Sequence, residues 1–143
     1  MEKIAVFVDS RAGRTRSAAV AIAEELGVSL GDIKKPVLEA EILFLGSGVY
    51  GGPAPGDYMT RLLQKGVFTG KKVALFATGT YPGDGEKMLA GMAETLEKKG
   101  ATILGNEGNF RGKFIVSKYL RLHPEDLESA RNWARDIVGN QTH

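Results

Sequence analysis

Apolar residues gather in short uninterrupted runs at Ile4 to Val8, Ile42 to Leu45 and Val73 to Ala77, with a further run opening at Thr102-Ile103-Leu104. Each has the length of a strand, and continuity rather than alternation is the pattern of strands buried on both faces. Between them the period becomes helical. Ala19, Ile22, Ala23 and Leu26 share one helical face and stop at Gly27. A short helix through Leu62 and Leu63 is capped by Asp57 and closed by Gly66. Leu89, Met92, Ala93 and Leu96 mark a helix capped by Asp84 and ending at Gly100, and Leu127, Ala130, Ala134 and Ile137 mark a last one opening at Pro124. Strands alternating with helices predict an α/β fold, a doubly wound parallel sheet of about five strands with helices on both faces. The weak place is 28–40. Only Val28-Ser29-Leu30 is strand-like there, and Lys34-Lys35-Pro36 interrupts any regular element. A second strand is therefore expected to be short and at an edge. No linker, repeat or low-complexity tract divides the chain, so 1–143 reads as a single domain.

Composition narrows the function classes. The chain has no cysteine, which excludes disulfides, thiolate metal sites and cysteine nucleophiles and fits a reducing cytoplasm. Its 19 basic and 17 acidic residues are too balanced for a nucleic-acid binder. No apolar run is long enough for a bilayer, and the Met-Glu-Lys start carries no signal-peptide pattern, so a cytoplasmic protein without a membrane segment is expected. Two histidines, His123 and His143, give neither a metal triad nor a Ser-His pair. Trp133 reads as packing at the core edge. Glycine is in excess, 19 residues of 143 against a usual ~7%, and most fall where strand-like runs end.

Three such loops would meet at one rim, because ligands of doubly wound sheets sit outside the carboxyl ends of the strands. The first is Ser10-Arg11-Ala12-Gly13-Arg14-Thr15-Arg16. Free N–H groups at a helix start, hydroxyls and a glycine suit a phosphate, although Ser and Thr there also serve simply as caps. The second runs from Gly46 through Ser47, Gly48, Val49, Tyr50, Gly51 and Gly52 to Gly56. It satisfies G-x-G-x-x-G only by accident, since the helix waits until Asp57 and no acidic residue stands about 20 positions on. It pairs one aromatic ring with exposed backbone, as a planar heteroaromatic ligand requires, and can also be read as a turn-rich connection with a half-buried tyrosine. The third, Thr78-Gly79-Thr80-Tyr81-Pro82-Gly83, repeats the combination.

These loops, in this order, resemble the flavodoxin family over nearly the whole chain. The family's phosphate loop, roughly [ST]-x-T-G-x-T, is matched by Ser10, Gly13 and Thr15, with Arg11, Ala12 and Arg14 between them; Ala12 replaces a hydroxyl residue and removes a donor. The family's G-S-P-[TV]-Y-G-G is matched by Gly46-Ser47-Gly48-Val49-Tyr50-Gly51-Gly52. The resemblance implies flavin mononucleotide (FMN) as cofactor. Its phosphate would be held by 10–15 and its ring flanked by Tyr50 beside Ser47, Gly48, Val49 and Gly51. The pyrimidine edge would be met by Thr78, Gly79, Thr80 and Tyr81. It further implies an electron-transfer flavoprotein in oxidoreductase chemistry, either a carrier or the flavin subunit of a redox system. Such a protein has a redox partner (a reductase or an electron acceptor) and needs no catalytic residue or metal of its own. Two departures stand out. Residues 28–40 supply less than the family's usual second strand and helix, marking a short, trimmed member, and the chain is slightly basic where the family is commonly acidic. The alternatives are a flavodoxin-fold partner or regulatory subunit that binds no flavin, and an FMN-dependent NAD(P)H reductase. A phospho-receiver domain shares the topology but needs clustered carboxylates at the rim, where only Asp9 stands.

Overall fold

The computed structural model describes residues 3–11, 13–49, 52–78, 83–108 and 124–140. In chain order the elements are β1 (Ile4–Asp9), α1 (Arg14–Leu26), β2 (Ile42–Gly48), α2 (Asp57–Lys65), β3 (Lys72–Thr78), α3 (Asp84–Lys98), β4 (Thr102–Gly108) and α4 (Pro124–Gly139). The sheet is parallel throughout, in the order β1-β2-β3-β4. A parallel bridge between Val6 and Leu30, with Gly31 N–H donating to Val6 O at 2.8 Å, adds a minimal fifth element outside β1. Counting that element second in chain order gives 2-1-3-4-5, the flavodoxin-like order, whose switch point lies between β1 and β2. The expected edge strand is thus a single bridge. From there residues 31–41 return to β2 without a helix.

Both faces of the sheet are covered, which is why its strands are apolar on both sides. Val6, Val8, Phe44 and Phe76 pack under α1 and α4, while Phe7, Leu43, Leu45 and Leu75 pack under α2 and α3. Trp133 meets Phe44 edge-on at 5.6 Å and Phe76 at 6.3 Å, so it packs at the core edge as expected. Gly46 makes room for this cluster, since a Cβ there would fall on the Phe76 ring. Arg135 of α4 reaches Glu25 of α1 at 3.2 Å, and that hydrogen-bonded carboxylate raises the guanidinium pKa above its ordinary value.

The last helix opens at Pro124 as expected, while the starts of α2 and α3 depart from expectation by one residue. Gly56 and Gly83, not Asp57 and Asp84, occupy the N-cap positions of α2 and α3. The two aspartates are first-turn residues favoured by the helix dipole. Gly27 and Gly66 are the C-caps of α1 and α2 as expected, whereas α3 is capped by Lys99, one residue before Gly100 with its positive φ. Among the described residues no helix is long and apolar enough to cross a membrane, and no cluster of side chains could hold a metal ion.

Candidate functional site

The start of α1 lies over the carboxyl ends of the central strands. Gly13, at φ 87°, turns the chain from β1 into the helix, a left-handed conformation that glycine adopts without steric cost. The Ser10 hydroxyl accepts the Gly13 N–H at 3.2 Å, so Ser10 closes the turn rather than capping the helix. Ser17 donates both its N–H and its hydroxyl to Gly13 O at 2.9 Å, the first bond of the helix. No side chain hydrogen-bonds as the N-cap of α1. The N–H groups of Arg14, Thr15 and Arg16 are therefore those an α-helix leaves without intrahelical partners, and with the dipole they form an anion-binding end. Thr15 is buried and its hydroxyl lies 2.5 Å from that of Thr78, the last residue of β3. That bond ties α1 to the far side of the switch point. Gly13→Ala is expected to cost about 1–2 kcal/mol, the price of a Cβ in left-handed backbone, read from urea unfolding midpoints.

The second loop is anchored from beneath. Ser47 and Gly48 belong to β2, pairing with Asp9 of β1 and with Ala77 and Thr78 of β3, because strand pairing carries β2 three residues past its apolar run. Ser47 is fully buried. Its hydroxyl donates to Gly48 O at 2.7 Å and accepts the Gly56 N–H at 2.9 Å, joining the two ends of the loop. Asp9, opposite Ser47 in register, is also buried, and its Oδ2 accepts the Met59 N–H at 3.0 Å. Asp9 is thus the N-terminal cap of α2, supplied from another element. Gly56 must be glycine for this to happen, since a Cβ there would overlap the Asp9 carboxylate. Sequence reasoning missed Asp9 as a site residue. Its one local signal is an acid closing a buried strand.

The structure therefore brings Ser10, Gly13, Thr15, Ser47, Gly48 and Thr78 to one rim. Val49 follows them half-buried, packed against the core on the α2 and α3 face. Ala12, Tyr50, Gly51, Gly79, Thr80 and Tyr81 lie outside the described residues, as does the side chain of Arg14. Arg11 is exposed, 3.9 Å from Asp57, and with Arg16 it lines a cleft of about 510 Å³ between β1 and residues 30–34. Arg11, Arg16 and Lys34 are matched there by Asp9, Asp32 and Asp57, a balance that does not select an anion.

The sequence is 28% identical over 123 residues to flavodoxin 1 of Azotobacter vinelandii, covering 74% of this chain and 71% of that one. The chain is thus similar to flavodoxins in sequence. Solved structures agree on the flavodoxin fold. A Fusobacterium nucleatum flavodoxin bound to flavin mononucleotide superposes with a TM-score of 0.73 at 21% identity, covering 98% of this chain and 99% of that one. Oxidised flavodoxin 2 from Bacillus cereus gives 0.71 at 23%, covering 96% and 99%. No protein-family model matches the sequence. Ser10, Gly13 and Thr15 stand together at the start of α1, Ser10 closing the Gly13 turn and Thr15 reaching the end of β3.

Proposed function

We propose that residues 1–143 form a single flavodoxin-like domain that binds FMN and carries electrons, or serves as the flavin subunit of a redox system, in the cytoplasm. The observation that carries this is the uncapped start of α1 at the switch point, ringed by the hydroxyls of Ser10, Thr15 and Thr78. These donors fit a phosphate monoester, with Gly13 allowing close backbone approach. In this reading the Thr78 hydroxyl donates to Thr15 and the Thr15 hydroxyl donates to the phosphate, a chain in which each bond strengthens the next. Residues 11–15 complete the phosphate grip. Ser47, Gly48 and Val49 lead into the ring site, where Tyr50 flanks one face beside Gly51, and Thr78, Gly79, Thr80 and Tyr81 meet the ring's edge. Bound flavin supplies the electron chemistry, and the protein positions and tunes it. Electrons then pass to or from a separate redox partner.

The test is to purify the full chain, record its visible spectrum, and titrate the apo form with FMN while following quenching of flavin fluorescence. Saturation at one FMN per chain is expected, with Tyr50→Ala weakening binding about tenfold through lost stacking. A colourless protein that leaves FMN fluorescence unchanged would overturn the cofactor assignment and leave a docking module of the same fold.

A further inference from the structure

We infer that the face formed by α2 and residues 33–38 is a docking surface for an acidic protein partner, one that seats an apolar side chain between its carboxylates. Tyr58, Arg61 and Lys65 stand at i, i+3 and i+7 of α2, so they share one stripe of the helix. Facing that stripe are Lys34 and Pro36, and between the two runs a groove of about 280 Å³ with Ile33, Leu38 and Leu62 also in its walls. The groove is open because residues 31–41 cross back to the sheet without the helix that would otherwise cover α2's flank. Its volume falls just below the usual ~300–1,000 Å³ of small-molecule sites, which suits an anchoring side chain better than a free ligand.

Charge selects the partner. The lining holds three cations, Lys34, Arg61 and Lys65, and no carboxylate. None of the three is in an ion pair with another described residue, and Lys34 Nζ sits 5.6 Å from the centre of the Tyr58 ring. Val37 and Val67, chain neighbours of the lining, are exposed apolar residues at 62% and 73%. A second copy of this chain would bring like charges together. A bilayer or nucleic acid, being broadly anionic, would meet the exposed acids Asp32, Glu39 and Asp57 that bracket the patch. A compact acidic segment seated in the groove lies against the lining, which holds the three cations and no carboxylate. Such pairing raises association rate and fixes orientation more than it deepens affinity, as a transient complex requires. The inference does not depend on flavin being bound.

The probe is a blocked peptide of one leucine flanked on each side by three glutamates, titrated into the ¹⁵N-labelled full chain and followed by amide chemical shifts. Shifts are expected at 33–38 and 58–66, fading as salt rises. Arg61→Glu/Lys65→Glu should weaken binding at least tenfold while leaving the fold intact, since both side chains are exposed. A glutamate-only peptide should bind several-fold more weakly. The inference is overturned by no shifts, by shifts centred on Arg11 and Arg16, or by equal binding of the double variant or of the glutamate-only peptide. It is also overturned if the same amides shift with protein concentration alone, which would make a second copy the occupant, or bind phosphatidylserine vesicles as well as the peptide.

Discussion

Thr15→Val is expected to destabilise the protein by about 1–3 kcal/mol, and adding Thr78→Val to restore most of that loss. The hydroxyls of Thr15 and Thr78 lie 2.5 Å apart, and both residues are buried, at 2% and 4% exposure. Removing one leaves the other a buried polar group without its partner, which costs its full desolvation. Removing both replaces the pair with two methyl groups of similar shape. Urea unfolding of the two single variants and the double measures this as a coupling energy. Flavin affinity should behave differently. In the proposed chain of hydroxyls Thr15 donates to the phosphate, so FMN binding should fall about tenfold in Thr15→Val and stay low in the double variant, a loss of roughly 1.4 kcal/mol. Recovered stability without recovered affinity separates the structural role of the pair from its role toward the ligand. Additive losses of stability would show that the hydroxyls do not support one another, and recovered affinity would remove Thr15 from the phosphate site.

Much of this architecture is legible in the sequence because buried parallel strands must be apolar on both faces. Ile4 to Val8, Ile42 to Leu45 and Val73 to Ala77 all lie within strands. The helix stops at Gly27 and Gly66 follow from glycine's fitness for chain reversal. Strand ends are less legible. Ser47, Gly48 and Thr78 read as loop residues because they are polar or small, yet pairing with neighbouring strands keeps them in the sheet. The starts of α2 and α3 slipped by one residue because an aspartate is a good cap and a good first-turn residue alike, and the glycine before each takes the cap position. Leu30 was legible as an edge element because Gly31-Asp32 and the Lys34-Lys35-Pro36 break leave no room for more. The rim itself could be located from the three loops, but its internal wiring could not. Thr15 meets Thr78 across 63 residues and Asp9 meets Met59 across 50, and no local pattern announces either contact.

Asp9 is where that hidden wiring has its largest expected consequence. Its carboxylate accepts the Met59 N–H at the start of α2, a charge-assisted bond reinforced by the helix dipole, and both groups are buried. Asp9→Ala removes the acceptor, leaves the Met59 N–H without its partner, and should cost about 2–3 kcal/mol. Asp9→Asn keeps an oxygen that can accept the same N–H, so it should recover more than half of that loss. The functional effect follows from what α2 holds. Ser47 binds the Gly56 N–H and Asp9 binds the Met59 N–H, so together they fix where the second loop ends. Freeing α2 at that point loosens the far anchor of a loop proposed to flank the flavin ring. FMN affinity should then drop in Asp9→Ala and return with Asp9→Asn. Gly56→Ala reaches the same contact from the other side, because its Cβ would overlap the Asp9 carboxylate. It should therefore be destabilising in the wild type and milder when Asp9 is already alanine. Equal cost in both backgrounds would mean that Gly56 is needed for some reason other than the approach of Asp9, and the buried carboxylate would lose its place as the anchor of the loop.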